Sequence, residues 1–175
     1  MTPEVTITQF REAMSLLGAA VNVITSDGPA GRVGFTASAV CSVTDQPPTM
    51  LVCVNRSSFS HSCLVKNGTL CINVLMAQQE ETSALFANRE LSSDERFART
   101  PWHVLITGAP ALDGALVNLD GNIADMYDVG THTIFIVGIK QICIGSEPQR
   151  GGLVYFNRSY QALPRQRNEM ACHPK

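Results

Sequence analysis

Asn55-Arg56-Ser57-Ser58 places a guanidinium, an amide and two hydroxyls directly after an apolar run. Guanidinium forks, hydroxyls and loop N–H groups that converge in this way bind anions such as phosphate. Upstream, Thr36 and Ser38 alternate with Ala37 and Ala39. That gives a narrow, hydroxyl-lined surface on which a flat aromatic ring can lie close to the backbone. Gly130-Thr131-His132 puts a histidine at the entrance of a long apolar strand. His61, in Ser60-His61-Ser62, is a second candidate and His103 a weaker one. Tyr155, Phe156, Arg158 and Tyr160 add an aromatic and cationic cluster. Each feature alone also has a plainer reading: small residues that permit close packing, a solvated turn, a structural histidine, core aromatics beside a surface cation.

The elements that must position these residues follow from pattern. Thr6 to Gly18 predicts a helix, with Thr6 or Thr8 as cap, Phe10, Met14 and Leu17 at helical spacing, and Gly18 as the stop. Ala20 to Thr25, Gly34 to Val43, Thr49 to Val54 and Thr69 to Leu75 predict strands. Ser26 to Gly31 and Lys66-Asn67-Gly68 predict turns, and Pro47-Pro48 breaks the ladder between two strands as a corner. Gln78 to Asn88 reads as a helix, and Ser92 to Phe97 carries helix-start chemistry. Ala115 to Tyr127, with a bulge near Gly121, Thr131 to Ile144, Gly152 to Phe156 and Ser159 to Leu163 predict four further strands, with a turn at Gly145 to Gly151. Strands that follow one another through turns pair antiparallel by default, and curling toward a barrel protects their edges.

The bulk numbers set the limits. A chain of 175 residues fits one domain, read as 1–165 with a fraying tail at 166–175. The formal charge of −2 and the lack of a basic run argue against a nucleic-acid partner. No apolar stretch approaches the ~20 residues of a membrane span, and no leader is visible, so the expected location is the cytoplasm. Six cysteines form no C-x-x-C pair, so the expectation is buried, reduced thiols and no metal site. No G-x-G-x-x-G, G-x-x-x-x-G-K-[ST], G-x-S-x-G or H-E-x-x-H occurs. Any bound nucleotide must therefore be held by a barrel surface.

Phe10-Arg-Glu-Ala-Met14, Ala20 to Thr25, Gly34 to Thr44, Pro47-Pro48, Leu51 to Arg56, Leu70 to Leu75, Glu95-Arg-Phe97, Gly130-Thr131-His132 and Gly152 to Phe156 together resemble the flavin reductase family. The match runs in order over nearly the whole chain. Within that family the chain is most similar to the small reductase components of 4-hydroxyphenylacetate 3-monooxygenases. The resemblance implies a mainly β fold, a split β-barrel of the FMN-binding, antiparallel Greek-key-like type with a few flanking helices, assembled as a homodimer. It implies FMN or FAD as cofactor, NADH or NADPH as co-substrate, and a separate flavin-dependent oxygenase that receives reduced flavin by diffusion. The implied flavin-facing residues are Phe35, Thr36, Ala37 and Ser38; Cys53, Val54, Asn55, Arg56, Ser57 and Ser58; and Phe86, Ala87 and Asn88. Gly130, Thr131 and His132 match the nicotinamide-side motif, with His132 as the catalytic candidate, and Tyr155 and Arg158 match the block that closes over the nucleotide. Thr131 stands where many members carry Asp, a departure shared with the 4-hydroxyphenylacetate and pyrimidine-catabolism branches. A flavoenzyme reducing a non-flavin acceptor such as a corrin, and a non-catalytic flavin-binding split barrel, are the alternatives.

Overall fold

The structure is a computed structural model and describes residues 4–145 and 151–164. In chain order the elements are α1 (Ile7–Ser15), β1 (Ala19–Ala20), β2 (Asn22–Ser26), β3 (Val33–Ala37), β4 (Val40–Asp45), β5 (Pro48–Asn55), α2 (Phe59–Asn67), β6 (Thr69–Val74), α3 (Glu80–Ala87), α4 (Ser93–Ala98), β7 (Trp102–Val104), β8 (Pro110–Leu112), β9 (Val117–Val129), β10 (His132–Ile144), β11 (Gly152–Phe156) and β12 (Ser159–Leu163). Seven strands make one sheet in the order β3-β2-β6-β9-β10-β5-β4, beside a three-stranded β1-β11-β12 sheet and the β7-β8 hairpin. Neighbouring strands in the large sheet run antiparallel.

The sheet wraps one core. Ile24, Val52, Leu70, Ile72, Phe135 and Val137 pack with Leu64 of α2, and Phe35, Ala37, Val40, Leu119 and Ile123 close around them. Every strand from β3 at one end to β4 at the other contributes to this cluster, so the sheet curls although its order keeps two ends. A second cluster of Val21, Val23, Leu75, Phe86, Phe97, Leu112 and Leu153 joins β2 to α3, α4 and β11. Burying side chains of this size contributes about 1.5–3 kcal/mol each.

Two expected elements come out differently. The run Gly34 to Val43 is not one strand: it breaks at Ser38-Ala39, and β3 and β4 go to opposite ends of the sheet. The break is satisfied locally, because Ala39 O accepts from Cys53 N at 2.9 Å. The expected Lys66-Asn67-Gly68 turn is the end of a helix: α2 fills the stretch from Phe59, for which no element was expected. Its polar and apolar residues are mixed around the helix, so periodicity gave no signal there. Ser58 caps it through His61 N, and Gly68 ends it at φ 69°. The β7-β8 hairpin was also not expected. Cys63 and Cys71 are buried and Cys53 partly so, whereas Cys41 and Cys143 are exposed. The correction follows from topology: Cys41 lies on the end strand β4, and Cys143 in the exposed last stretch of β10. The bulge near Gly121 is present as a register shift between Ile139 and Gln141 of β10. A Cβ at Gly121 would lie 2.6 Å from Gly138 O, so this close crossing needs glycine. Most of the Gly145 to Gly151 turn and the whole 166–175 tail lie outside the described residues.

One buried polar side chain ties the sheet to β8. Asn73 on β6 is fully buried. Its Oδ1 accepts from Leu112 N and Asn118 Nδ2, both at 2.8 Å, and its Nδ2 donates to Val23 O at 2.9 Å and Thr25 Oγ1 at 3.0 Å. Each buried group left without a partner costs about 1–3 kcal/mol. Asn73→Ala is therefore expected to lower stability by at least about 3 kcal/mol in urea unfolding; a loss below about 1 kcal/mol would contradict this role.

Candidate functional site

β5 ends at Asn55, and the next three residues turn the chain into a helix. Asn55 Oδ1 accepts from Ser57 N at 2.9 Å and Ser57 Oγ at 2.8 Å. Ser58 Oγ donates to Asn55 O at 2.8 Å and accepts from His61 N at 3.2 Å. This closed turn leads into α2, whose first turn brings His61 to the same cleft as Arg56; a helix N-terminus carries the positive end of the helix dipole. The β9-β10 hairpin comes up beside it. His132 pairs with Asn55 on one side and with Val129 on the other. Gly130, at φ 56°, fills the first central position of the two-residue turn, where positive φ favours glycine. Arg56 N donates to Thr131 O at 3.0 Å, which locks turn to turn. Between them lies an open cleft of about 470 Å³ lined by Asn55, Arg56, Ser57, His61, Gly130 and Thr131.

A hydrogen-bonded row underlies this cleft. His61 Nε2 lies 2.8 Å from Thr133 Oγ1, and Thr133 Oγ1 donates to Asp128 Oδ1 at 2.6 Å. The threonine hydroxyl has one hydrogen, so His61 Nε2 is the donor to it. Asp128 Oδ2 meets Arg56 Nη2 at 3.1 Å. The His61 ring is edge-on to Phe135 at 5.4 Å. His132 is exposed, with Nδ1 2.9 Å from Thr131 Oγ1. Burial raises the pKa of Cys53, so it is a neutral thiol rather than a nucleophile. Further along β9, Tyr127 OH donates to Asp125 Oδ2 at 2.5 Å; that bond lowers the carboxyl pKa and raises the phenol pKa.

The sequence-predicted residues fall into two groups. Asn55, Arg56, Ser57, Gly130 and Thr131 line the cleft, with Ser58 and His132 next to them. Ser38 is exposed, and the Ala39–Cys53 hydrogen bond brings it alongside β5. Val54 is buried in the core, and Phe35 is partly buried against it. Thr36 is already committed: its Oγ1 donates to Ser83 O at 2.6 Å. Ala37 O accepts from Asn22 Nδ2 at 3.3 Å.

The second group surrounds α3. Phe86 is 1% exposed and edge-on to Phe97, so its side chain supports the fold from inside rather than facing a ligand. Ala87 and Asn88 are exposed at the end of α3. Arg96 clamps this segment to β3 by donating to Asn88 O at 2.6 Å and Gly34 O at 2.8 Å. Tyr155 is exposed and edge-on to Tyr160, whose hydroxyl lies 2.9 Å from Ser83 Oγ. Arg158 sits in the β11-β12 turn at φ 59°, after Asn157 at φ 48°. His103 is elsewhere, on β7, with Nδ1 2.6 Å from Asp113 Oδ1.

Asp128 and Thr133 were not among the predicted residues. Alternation across the glycine hairpin was the available signal, since it sets them opposite each other, Asp128 facing Thr133. Chemically, the cleft offers an anion site built from Arg56, Ser57 and the start of α2. A histidine stands on the neighbouring strand end. No helix among the described residues is long and apolar enough to cross a membrane.

The model of the family described as "Flavin reductase like domain" matches residues 14–164. FMN reductase (NADH) RutF of Escherichia coli K12 is 52% identical over 156 residues, 89% of this chain and 93% of the relative. BorF, the flavin reductase component of a bacterial two-component tryptophan halogenase, superposes with a TM-score of 0.84 at 30% identity, covering 92% of this chain and 100% of the other. The NADH:FAD oxidoreductase SgcE6 of Streptomyces globisporus C-1027, solved with NAD and FAD fragments, gives 0.81 at 29% identity over 91% of this chain and 96% of the other. The chain belongs to the flavin reductase family.

The Ser58 cap is a local test of the site's construction. Ser58→Ala is expected to cost about 1 kcal/mol in urea unfolding, while Ser58→Asp, which keeps a capping oxygen, costs less than half of that. Equal losses in the two variants would mean the cap does not hold the start of α2.

Proposed function

We propose that this member of the flavin reductase family is a cytoplasmic enzyme that uses NADH to reduce FMN or FAD and releases the reduced flavin to a separate flavin-dependent oxygenase. The observation that carries this is the cleft where Arg56, the N-terminus of α2 and the Gly130-Thr131-His132 turn converge. Its donor set suits a phosphate group, and its volume of about 470 Å³ lies within the ordinary range for ligand sites. The curated relatives named FMN reductase (NADH) favour NADH as the electron source.

When bound, the flavin supplies the hydride-accepting ring system and the nicotinamide the hydride. The protein's work is to bind, orient and exclude water. Arg56, Ser57 and the first N–H groups of α2 would hold the phosphate end. Ser38 and the strand end at Asn55 would flank the ring, with the exposed Ser38 hydroxyl as a donor to negative charge at its polar edge. Thr36 would act from behind, since its hydroxyl secures α3. His132, at the cleft rim, would position the nicotinamide; hydride transfer itself needs no proton relay. Tyr155, Arg158 and the Ala87-Asn88 segment would close the outer side.

A homodimer fits the exposed apolar surface. α1 buries none of its residues, and Ile7, Phe10, Met14 and Leu17 are each more than half exposed. A patch of this kind marks an interface, and the occupant proposed is a second copy of the chain. Phe10→Glu is expected to convert a dimeric elution volume in gel filtration to a monomeric one; an unchanged dimer would place the interface elsewhere.

Activity is tested by steady-state NADH oxidation with FMN, FAD and riboflavin in excess. Turnover of free flavin is expected; absence of NADH oxidation would defeat the proposal. Bleaching of only a tightly bound chromophore would point instead to direct reduction of a non-flavin acceptor. His132→Ala is expected to raise the KM for NADH about tenfold, the worth of one positioning contact. The Kd for flavin should change by less than about twofold. An unchanged KM would remove His132 from the nicotinamide site.

A further inference from the structure

Arg56 is the cation of the cleft, yet it does not stand free. Its Nη2 meets Asp128 Oδ2 at 3.1 Å. Both side chains are about half exposed, and an isolated pair of that kind holds weakly. Asp128 is not isolated, however. Its other oxygen is held by Thr133 Oγ1 at 2.6 Å, Thr133 is buried, and His61 Nε2 donates to the same hydroxyl. His61 is fixed in turn by α2 and by the buried ring of Phe135. The donors in this row all point toward one carboxylate, whose remaining oxygen faces the guanidinium. An anion that approaches Arg56 therefore meets a neutralised cation with an immobilised negative charge beside it.

We propose that Asp128 is a positioning residue that competes with a bound phosphate for Arg56, weakening the grip on the nucleotide so that it can leave after reduction. This rests on the flavin reductase reading of the same cleft. The phosphate is that of the flavin or of the nicotinamide dinucleotide, and the two sources are separable. An enzyme that must release reduced flavin gains from a phosphate site whose cation is shared. A site with a lone, fixed arginine would retain the nucleotide instead.

The test is Asp128→Asn, which keeps shape and removes charge, with Asp128→Ser as a second variant. If the phosphate is the flavin's, the Kd for FMN falls about fivefold while that for riboflavin, the same ring without phosphate, stays within about twofold. If it is the dinucleotide's, the KM for NADH with riboflavin as acceptor falls by a similar factor and the FMN-to-riboflavin ratio holds. In an Arg56→Met background, removing the Asp128 charge should change neither quantity. No change in either quantity with Arg56 intact overturns the proposal, as does the same change with Arg56 removed. Inorganic pyrophosphate gives a readout independent of flavin chemistry: it should raise the melting temperature of Asp128→Asn more than that of the parent chain. Equal shifts would overturn the role of Asp128. A parent chain that neither binds FMN nor oxidises NADH would instead overturn the functional proposal.

Discussion

The fold depends on Asn73. It lies on β6, the strand between β2 and β9, and bonds to both neighbours and to β8 through one amide. An apolar residue at this place would take a partner from Val23 O and Leu112 N and leave Asn118 Nδ2 with only its bond to Leu112 O. Buried amides of this kind act as address labels: they are favourable in one register and costly in any other. Asp120, also fully buried on β9, does the same for the loop before β8 by accepting from Thr107 N and Oγ1. Hydrophobic burial supplies the driving force, and these polar contacts decide which arrangement it drives toward.

The site inherits that register. β6 aligns β9, β9 aligns β10, and β10 aligns β5, so that His132 falls opposite Asn55. A slip of one residue anywhere along this sequence would send His132 and Thr133 to the wrong faces. Two register shifts between β9 and β10 lie within the same ladder, at Ile136/Val137 and Ile139/Gln141. Bulges increase local twist and re-aim side chains. The shift at Ile136/Val137 lies between the part of β9 that pairs with β6 and the hairpin tip, and the shift at Ile139/Gln141 lies opposite Gly121 and Asp120, within that part, so the strand itself helps to aim the tip.

Much of this was legible in the chain. β6 and β10 follow from runs rich in β-branched residues, and β9, β11 and β12 from shorter runs bounded by turns; of the two threonines offered as cap of α1 the structure uses Thr6, and the helix-start chemistry from Ser92 is realised as a capping box. That Asn55, Arg56 and Ser57 come together was readable because they are contiguous, and they line one cleft. Other features were not readable. α2 has no clean apolar stripe. The break at Ser38-Ala39 is made by a hydrogen bond to Cys53, a residue on another strand. Thr36 is diverted to Ser83, 47 positions away. The Arg56–Asp128 pair belongs to the same class. Local pattern predicts local structure, but the partner of a polar side chain is set by which strands become neighbours, and that is decided in the core.

The two groups of candidate residues stand on different supports. The cleft group stands on a capped helix, a hairpin tied to the strand end by Arg56 N and Thr131 O, and a buried threonine. The aromatic half stands on the β11-β12 hairpin, whose turn residues adopt left-handed conformations and whose Asn157 N donates to Ser15 O at 2.7 Å. Ser15 is the last residue of α1, the helix that buries none of its own residues within one chain. β1, which follows directly, pairs with β11 through Ala19 and Tyr155. Whatever covers α1 therefore steadies the hairpin that carries Tyr155 and Arg158. On the proposed reading, association through α1 would act on the Tyr155 side and leave the phosphate end to Arg56, with Asp128 competing for it.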